Sequence, residues 1–268
     1  MDQDVDMYGY LPSKAAALFG IIFFSAMAVI CTLQMIFGPY KHWWMTTVVL
    51  LAVGEAIGWG GRYWAHLDPT SWMAFMIQIC SIAISPVLLS AADYVLFCKL
   101  IEKTTPRLFP FPSAIFWAVF VICDIISLAI QTVGGVEVSS ANDFESLSHG
   151  SDVMRSGIIF QFSNTIMFVI IITVTVLRFR QKKALCPQAK WPLLVALCVS
   201  TVMVLLRNGY RIVELSGGWK GHLMRTETYL IYLDMVLMAI GVGVFVIFSP
   251  SFFFREDKKL ANAMELLE

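Results

Sequence analysis

The sequence predicts an all-α fold, a polytopic membrane protein built as a seven-transmembrane-helix bundle. Three observations predict it. Of the 268 residues, 58% are hydrophobic and only 14% charged, whereas soluble domains carry roughly 25% charged residues. The apolar residues gather into seven runs, each close to the ~20 residues an α-helix needs to cross the hydrocarbon core of a bilayer. The segments between the runs are short and polar, which leaves no room for a soluble catalytic domain.

The runs lie near 15–37, 43–64, 72–98, 111–134, 154–177, 191–213 and 228–252. The first follows an acidic stretch, Asp2, Asp4 and Asp6, and exceeds the ~7–15 apolar residues of a signal peptide, so it is expected to remain as a helix. The second contains Gly54, Gly58, Gly60 and Gly61. The G-x-x-x-G from Gly54 to Gly58 suits close helix packing within the bundle, with dimerisation as the alternative use. The third is interrupted by Pro86, whose missing N–H frees a carbonyl that a neighbouring helix or water must satisfy, and a kink is expected there.

Between the fourth and fifth runs, residues 135–153 include Glu137, Asp143, Glu145 and Asp152 but no Lys or Arg. The segment lacks hydrophobic periodicity and reads as a solvated acidic loop, a lid or disordered cap. Trp43, Trp44, Trp64, Trp72, Trp191 and Trp219 stand near the ends of runs, where indole rings anchor helices at the membrane interface. Cys31, Cys80, Cys98, Cys123 and Cys198 fall inside runs and Cys186 in a loop, so no disulfide framework is expected and the thiols read as packing groups.

The formal net charge is zero, but the basic residues are segregated. Lys41, Lys99, Lys103, Arg107, Arg178, Arg180, Lys182, Lys183, Lys190, Arg255, Lys258 and Lys259 share one side; Lys14, Lys220 and Arg225 lie on the other. The positive-inside rule then puts the N-terminus outside and the C-terminus in the cytosol. The expected organisation is an extracellular segment over 1–14, a membrane domain over 15–254 and a cytoplasmic tail over 255–268. No nucleic-acid partner is suggested.

The costly residues are the polar ones inside the runs. Residues seven apart on a helix share nearly one face and lie about 10.5 Å apart along the axis. This spacing joins Glu55 with Arg62, Gln78 with Ser85, Asp124 with Gln131, Arg207 with Glu214 and Glu227 with Asp234; Arg211 follows one turn after Arg207. Ionisable groups at membrane depth mark functional sites by default. The expectation is one polar chamber open outward, with Glu55, Asp124 and Asp234 at its floor and Arg62, Arg207, Gln131, Glu227 and Gln78 nearer its mouth. The competing reading is that these charges only pair with one another and fix helix register. Asp93, near the inner end of the third run and close to Lys99, reads as an interfacial or packing residue.

Several chemistries are argued down. The seventh run has no Lys to carry a Schiff base. His42, His66, His149 and His222 lie in loops or at helix ends, so neither a metal centre nor a cofactor is expected. No phosphate-binding Gly-rich loop or nucleophile elbow occurs.

Read in order, Tyr8–Pro12 (YGYLP), Gly54–Arg62 (GEAIGWGGR), Ser85–Tyr94 (SPVLLSAADY), Cys123–Gly135 (CDIISLAIQTVGG), Arg207–Glu214 (RNGYRIVE), then Glu227, Tyr229, Asp234 and Ser249–Pro250, resemble the signature blocks of the fungal RTA-like family, also called lipid-translocating exporters. The resemblance runs from Tyr8 to about Phe254. It implies seven-helix membrane proteins linked to resistance toward toxic amphiphiles and to movement of sphingoid bases or related lipids, with the plasma membrane favoured. It falls on Glu55, Arg62, Asp124, Gln131, Arg207, Arg211, Glu214, Glu227 and Asp234, which become the candidate substrate-binding residues, and it assigns them no individual roles.

The expected partner is a membrane lipid or amphiphilic small molecule. Two other readings stay open on the residues alone: a seven-helix receptor signalling through its basic third internal loop, and an intramembrane isomerase or cyclase using Glu55, Asp124 or Asp234 as acid or base.

Overall fold

A computed structural model describes residues 12–38, 43–104, 113–140, 144–181, 191–216 and 226–250. Residues 8–11 of the YGYLP block, the basic residues around Cys186, Lys41, His42, Arg107, Trp219, His222 and the tail over 255–268 lie outside these segments. Among the described residues there is no strand, and seven helices are long and apolar enough to cross a membrane. They are α1 (Lys14–Phe37), α2 (Thr46–Leu67, preceded by a 3₁₀ turn at Trp43–Met45), α3 (Trp72–Thr104), α4 (Ser113–Ser140), α5 (Phe144–Gln181), α6 (Trp191–Ser216) and α7 (Glu227–Ile247).

Neighbours in sequence pack against one another, and α7 closes the bundle against α1 and α6. At the centre stands α3, touching α2, α4, α6 and α7. Its sequence explains this position. From Ser85 to Cys98 nearly every side chain is buried, and a helix apolar on all sides belongs in the interior. The other helices divide their apolar residues: on α1, Ala17, Phe24, Ala28 and Cys31 turn inward while Phe19, Ile22, Val29 and Ile36 stay exposed, as a lipid-facing surface requires.

Glycine sets the closest approaches. Gly58 and Gly61 of α2 lie against Ser81, Ile82, Ala74 and Gln78 of α3, so the G-x-x-x-G region serves packing inside the bundle. A Cβ on Gly134 would fall 2.4 Å from the Met154 backbone nitrogen, and one on Gly150 2.8 Å from that of Val138. These contacts join α4 and α5 along their length, and they correct the expected loop over 135–153. Its described residues, 135–140 and 144–153, are helical: α4 runs on to Ser140 and α5 begins at Phe144. Two of its acids are engaged locally, Glu137 with His149 at 3.0 Å and Asp152 with Arg155 at 3.1 Å. Small residues let the two backbones meet, so the hairpin needs little apolar surface.

Helix α3 is continuous through Pro86, and α7 contains one π-helical turn at Ile231–Met235. The described cysteines are all free. Trp43, Trp64, Trp72 and Trp191 are exposed near helix ends, whereas Trp59 is fully buried.

Candidate functional site

The sequence pairs residues along single helices; the structure pairs Arg62 with Glu227 and Arg207 with Asp234 across helices. Spans alternate in direction, so the stripe Glu55–Arg62 on α2 runs antiparallel to the stripe Glu227–Asp234 on α7. With equal spacing on both, Arg62 meets Glu227 and Glu55 meets Asp234. Each helix thus contributes one acid to a deep layer and one member of an ion pair to a layer near the start of α1.

In the terminal layer Arg62 Nη2 lies 2.9 Å from Glu227 Oε1. The same oxygen accepts the Ser13 backbone N–H at 2.8 Å. His66 Nδ1 stands 2.8 Å from the Pro12 carbonyl oxygen, and the Arg62 guanidinium sits 5.8 Å from the Trp59 ring centroid. The entry to α1 is thereby tied to the end of α2 and the start of α7.

The deep layer contains Glu55, Asp234 and Arg207, with Arg211 facing Asp234 from one turn away on α6. Glu55 and Asp234 are fully buried and Arg207 nearly so. Arg207 Nε is 2.6 Å from Asp234 Oδ1, a close ion pair whose angle is poor for a hydrogen bond, and its Nη2 donates to the Ile82 carbonyl oxygen at 2.6 Å. Ile82 stands four residues before Pro86, so this is the carbonyl the proline leaves without a helical donor. Asp234 lies within the π-turn, a feature frequent at functional sites because it redirects a side chain within an otherwise regular helix.

The carboxylate of Glu55 lies beside Ser85 and Trp59 as well as the charges, yet neither of its oxygens is hydrogen-bonded. The Ser85 hydroxyl donates instead to the Ser81 carbonyl at 2.9 Å, and Trp59 Nε1 points near Glu55 without a well-formed hydrogen bond. Next to this layer Arg211 Nη1 pairs with Glu214 Oε2 at 2.7 Å, and Tyr210 donates to Glu214 Oε1 at 2.9 Å. Arg207 therefore belongs with the deep acids, not with the mouth as the sequence suggested.

Asp124 and Gln131 do not join this group, which corrects the expectation of a single shared chamber. The reason is that α4 packs on α3 and α5, with α3 standing between it and α6 or α7. Asp124 accepts from Tyr94 at 2.9 Å and from Asn164 Nδ2 at 2.7 Å. Gln131 donates through Nε2 to Ser127 and to Gln161 Oε1, both at 2.9 Å. A cavity of 170 Å³ opens beside Gln131 between α3, α4 and α5, bordered by Phe75, Ile79, Ala83, Leu128 and Met154. It is apolar apart from Gln131 and Thr132, and none of the deep charged residues lines it.

Sequence reasoning missed several partners. Asn164 and Gln161 are amides inside the apolar fifth run, a signal that was available. Ser200 and Thr201 hold Asp93, at 2.5 and 3.2 Å; Asp93 is buried between α3 and α6, not interfacial. Hydroxyl residues are ordinary in membrane helices, so nothing in the sequence marked those two. No group of His, Cys, Asp and Glu suited to a metal ion occurs among the described residues.

Comparison with known proteins agrees with this architecture. The chain is 26% identical to the sphingoid long-chain base transporter RSB1 of Saccharomyces cerevisiae, over 92% of its own length and 74% of the relative's. It is 26% identical to protoporphyrin uptake protein 1 of the same yeast, covering 91% of this chain and 93% of that one. To the yeast protein RTA1 it is 27% identical, over 73% and 62% of the two chains. No solved structure matches. The family model described as RTA1-like protein matches residues 48–257, which takes in all but the first two residues of α2, all of α3 through α7 and every charged residue of the deep layer. This integral, multi-pass membrane protein belongs to the RTA1-like family.

Proposed function

We propose that the protein is a translocator of lipids or toxic amphiphiles, with the deep charged layer receiving the head group while the apolar tail stays among helices or lipid. The observation that carries the reading is the burial of Glu55, Asp234 and Arg207 together inside a membrane-spanning bundle. Charges at such depth are costly and are kept where they handle a polar substrate, ion or proton. The names of the relatives point the same way, one as a transporter of sphingoid long-chain bases and another as a protoporphyrin uptake protein.

Within this reading Glu55 and Asp234 favour a cationic amine, and Arg207 and Arg211 suit a phosphate or carboxylate, since a guanidinium offers bidentate contacts to oxyanions. Asp124 and Gln131 form a second polar station, separated from the first by α3. The terminal layer with Arg62 and Glu227 stands at the outer end, with the N-terminus outside, the C-terminus cytosolic and the plasma membrane as the site of action.

Vesicles containing the purified protein, loaded with a fluorescent sphingoid base in one leaflet, test the proposal. Faster exchange between leaflets than in protein-free vesicles is expected for the free amine. Equal rates with and without protein, across amine, phosphorylated and N-acylated probes, would remove the reading.

A further inference from the structure

Among the described residues of the α2, α6 and α7 layers, each arginine has its own acid: Arg62 with Glu227, Arg207 with Asp234, Arg211 with Glu214, at 2.9, 2.6 and 2.7 Å. Glu55 is the acid left over. Among the described residues the two other buried carboxylates outside these pairs are hydrogen-bonded, Asp93 by two hydroxyls and Asp124 by a phenol and an amide. Glu55 has no cation of its own and no well-formed hydrogen bond on either oxygen, the Ser85 hydroxyl and the Trp59 indole being its nearest donors, and it is fully buried.

The groups that face it come from every helix packed around it. From α6 there is Arg207, already engaged by Asp234 and the Ile82 carbonyl; from α7 there is Asp234, a second acid; from α3 there is only the hydroxyl of Ser85. Its own helix adds the Trp59 indole, and the sole charged residue of α1 is Lys14, at the first turn. An ionised carboxylate with no well-formed hydrogen bond and only a shared arginine nearby is costly in such a place, and a proton or a bound cation of its own removes that cost.

We infer that the Glu55 carboxyl is an exchange seat, held by a proton when the site is empty and by the ammonium group of a cationic amphiphile when loaded, so that the protein exchanges one proton for one amine. The inference rests on the translocator reading and adds its coupling ion. The chemistry balances without a redox partner. The O–H bond of Glu55 breaks, the proton leaves to water, and the carboxylate so formed pairs with the incoming ammonium. The seat is closed in this structure, so exchange belongs to an opened state, and a carboxyl that cannot leave the bundle ionised and empty returns protonated.

Calorimetric titration of the purified full chain in detergent with dodecylamine, below its own micelle concentration, tests this when repeated in buffers of different ionisation enthalpy. Wild type is expected to release about one proton per amine bound near neutral pH, and the permanently charged dodecyltrimethylammonium should release it too. Asp93→Asn should release it as wild type does, whereas Glu55→Gln, checked for folding by its elution and thermal transition, should bind without release or not bind. Amine binding to wild type with no proton released overturns the exchange while leaving translocation standing. Release that persists in Glu55→Gln places the proton elsewhere and equally overturns it. Failure of wild type to bind either amine removes both the exchange and the amine reading of the site.

Discussion

Arg207 Nη2 donates to the Ile82 carbonyl oxygen at 2.6 Å, the acceptor that Pro86, four residues on, cannot reach with an N–H of its own. A helix-breaking residue in α3 and a buried arginine in α6 thus solve each other's problem. The proline creates an acceptor at membrane depth, and the arginine finds a neutral partner in addition to Asp234. This link holds the deep layer against the central helix.

Replacing Pro86 with alanine restores the helical donor to Ile82, which then competes with Arg207. Thermal unfolding in detergent should show stability unchanged or raised, by about 1–3 kcal/mol given the cost of proline in a helix interior, while amphiphile exchange in vesicles falls. A variant with unaltered exchange would mean that the Arg207–Ile82 contact is incidental to function.

The ion pair of Arg207 with Asp234 gives a second prediction. Arg207→Gln alone or Asp234→Asn alone strands a buried charge and should destabilise by about 3–5 kcal/mol, whereas the double variant, neutral on both sides, should recover most of that loss. Denaturation of the three variants measures it; strictly additive losses would show that the two side chains do not depend on each other.

At the α4–α5 contact, Gly134→Leu drives a side chain into the Met154 backbone, where even a Cβ would lie 2.4 Å away. Overpacking of this kind costs about 1–3 kcal/mol or more. The neighbouring Gly135 has nothing within 4 Å of its Cβ position, so Gly135→Ala should be tolerated. Equal melting temperatures for the two would contradict the packing assigned to the 135–153 region.

Glu227→Gln weakens the charged acceptor shared by Arg62 and the Ser13 N–H. Hydrogen exchange at the first turn of α1 should accelerate, while exchange in α4 and α5 stays as in wild type. Unchanged protection at Ser13 and Ala16 would show that the entry to α1 is held by packing alone.

The seven helices were legible because apolar runs of bilayer length leave little alternative, and nearly all the costly polar residues were visible for the same reason. What the sequence could not reveal was the pairing. A spacing of seven aligns Glu55 with Arg62 on one helix, but which acid each arginine meets depends on the register between α2, α6 and α7. The hairpin over 135–153 was misread because its composition resembles a loop; glycines that admit backbone contact replaced the missing apolar surface. The separation of Asp124 from Glu55 follows from the central place of α3, a property of topology that no local pattern encodes, and the π-turn at Asp234 leaves no mark in sequence.

The most direct measurement is the leaflet-exchange rate of a fluorescent sphingoid base in vesicles carrying equal amounts of wild type and of Glu55→Gln, both shown to be folded by their thermal transitions. The head-group role of the deep layer predicts rapid exchange for wild type and a rate close to protein-free vesicles for the variant. Matching fast rates for the two proteins would contradict it.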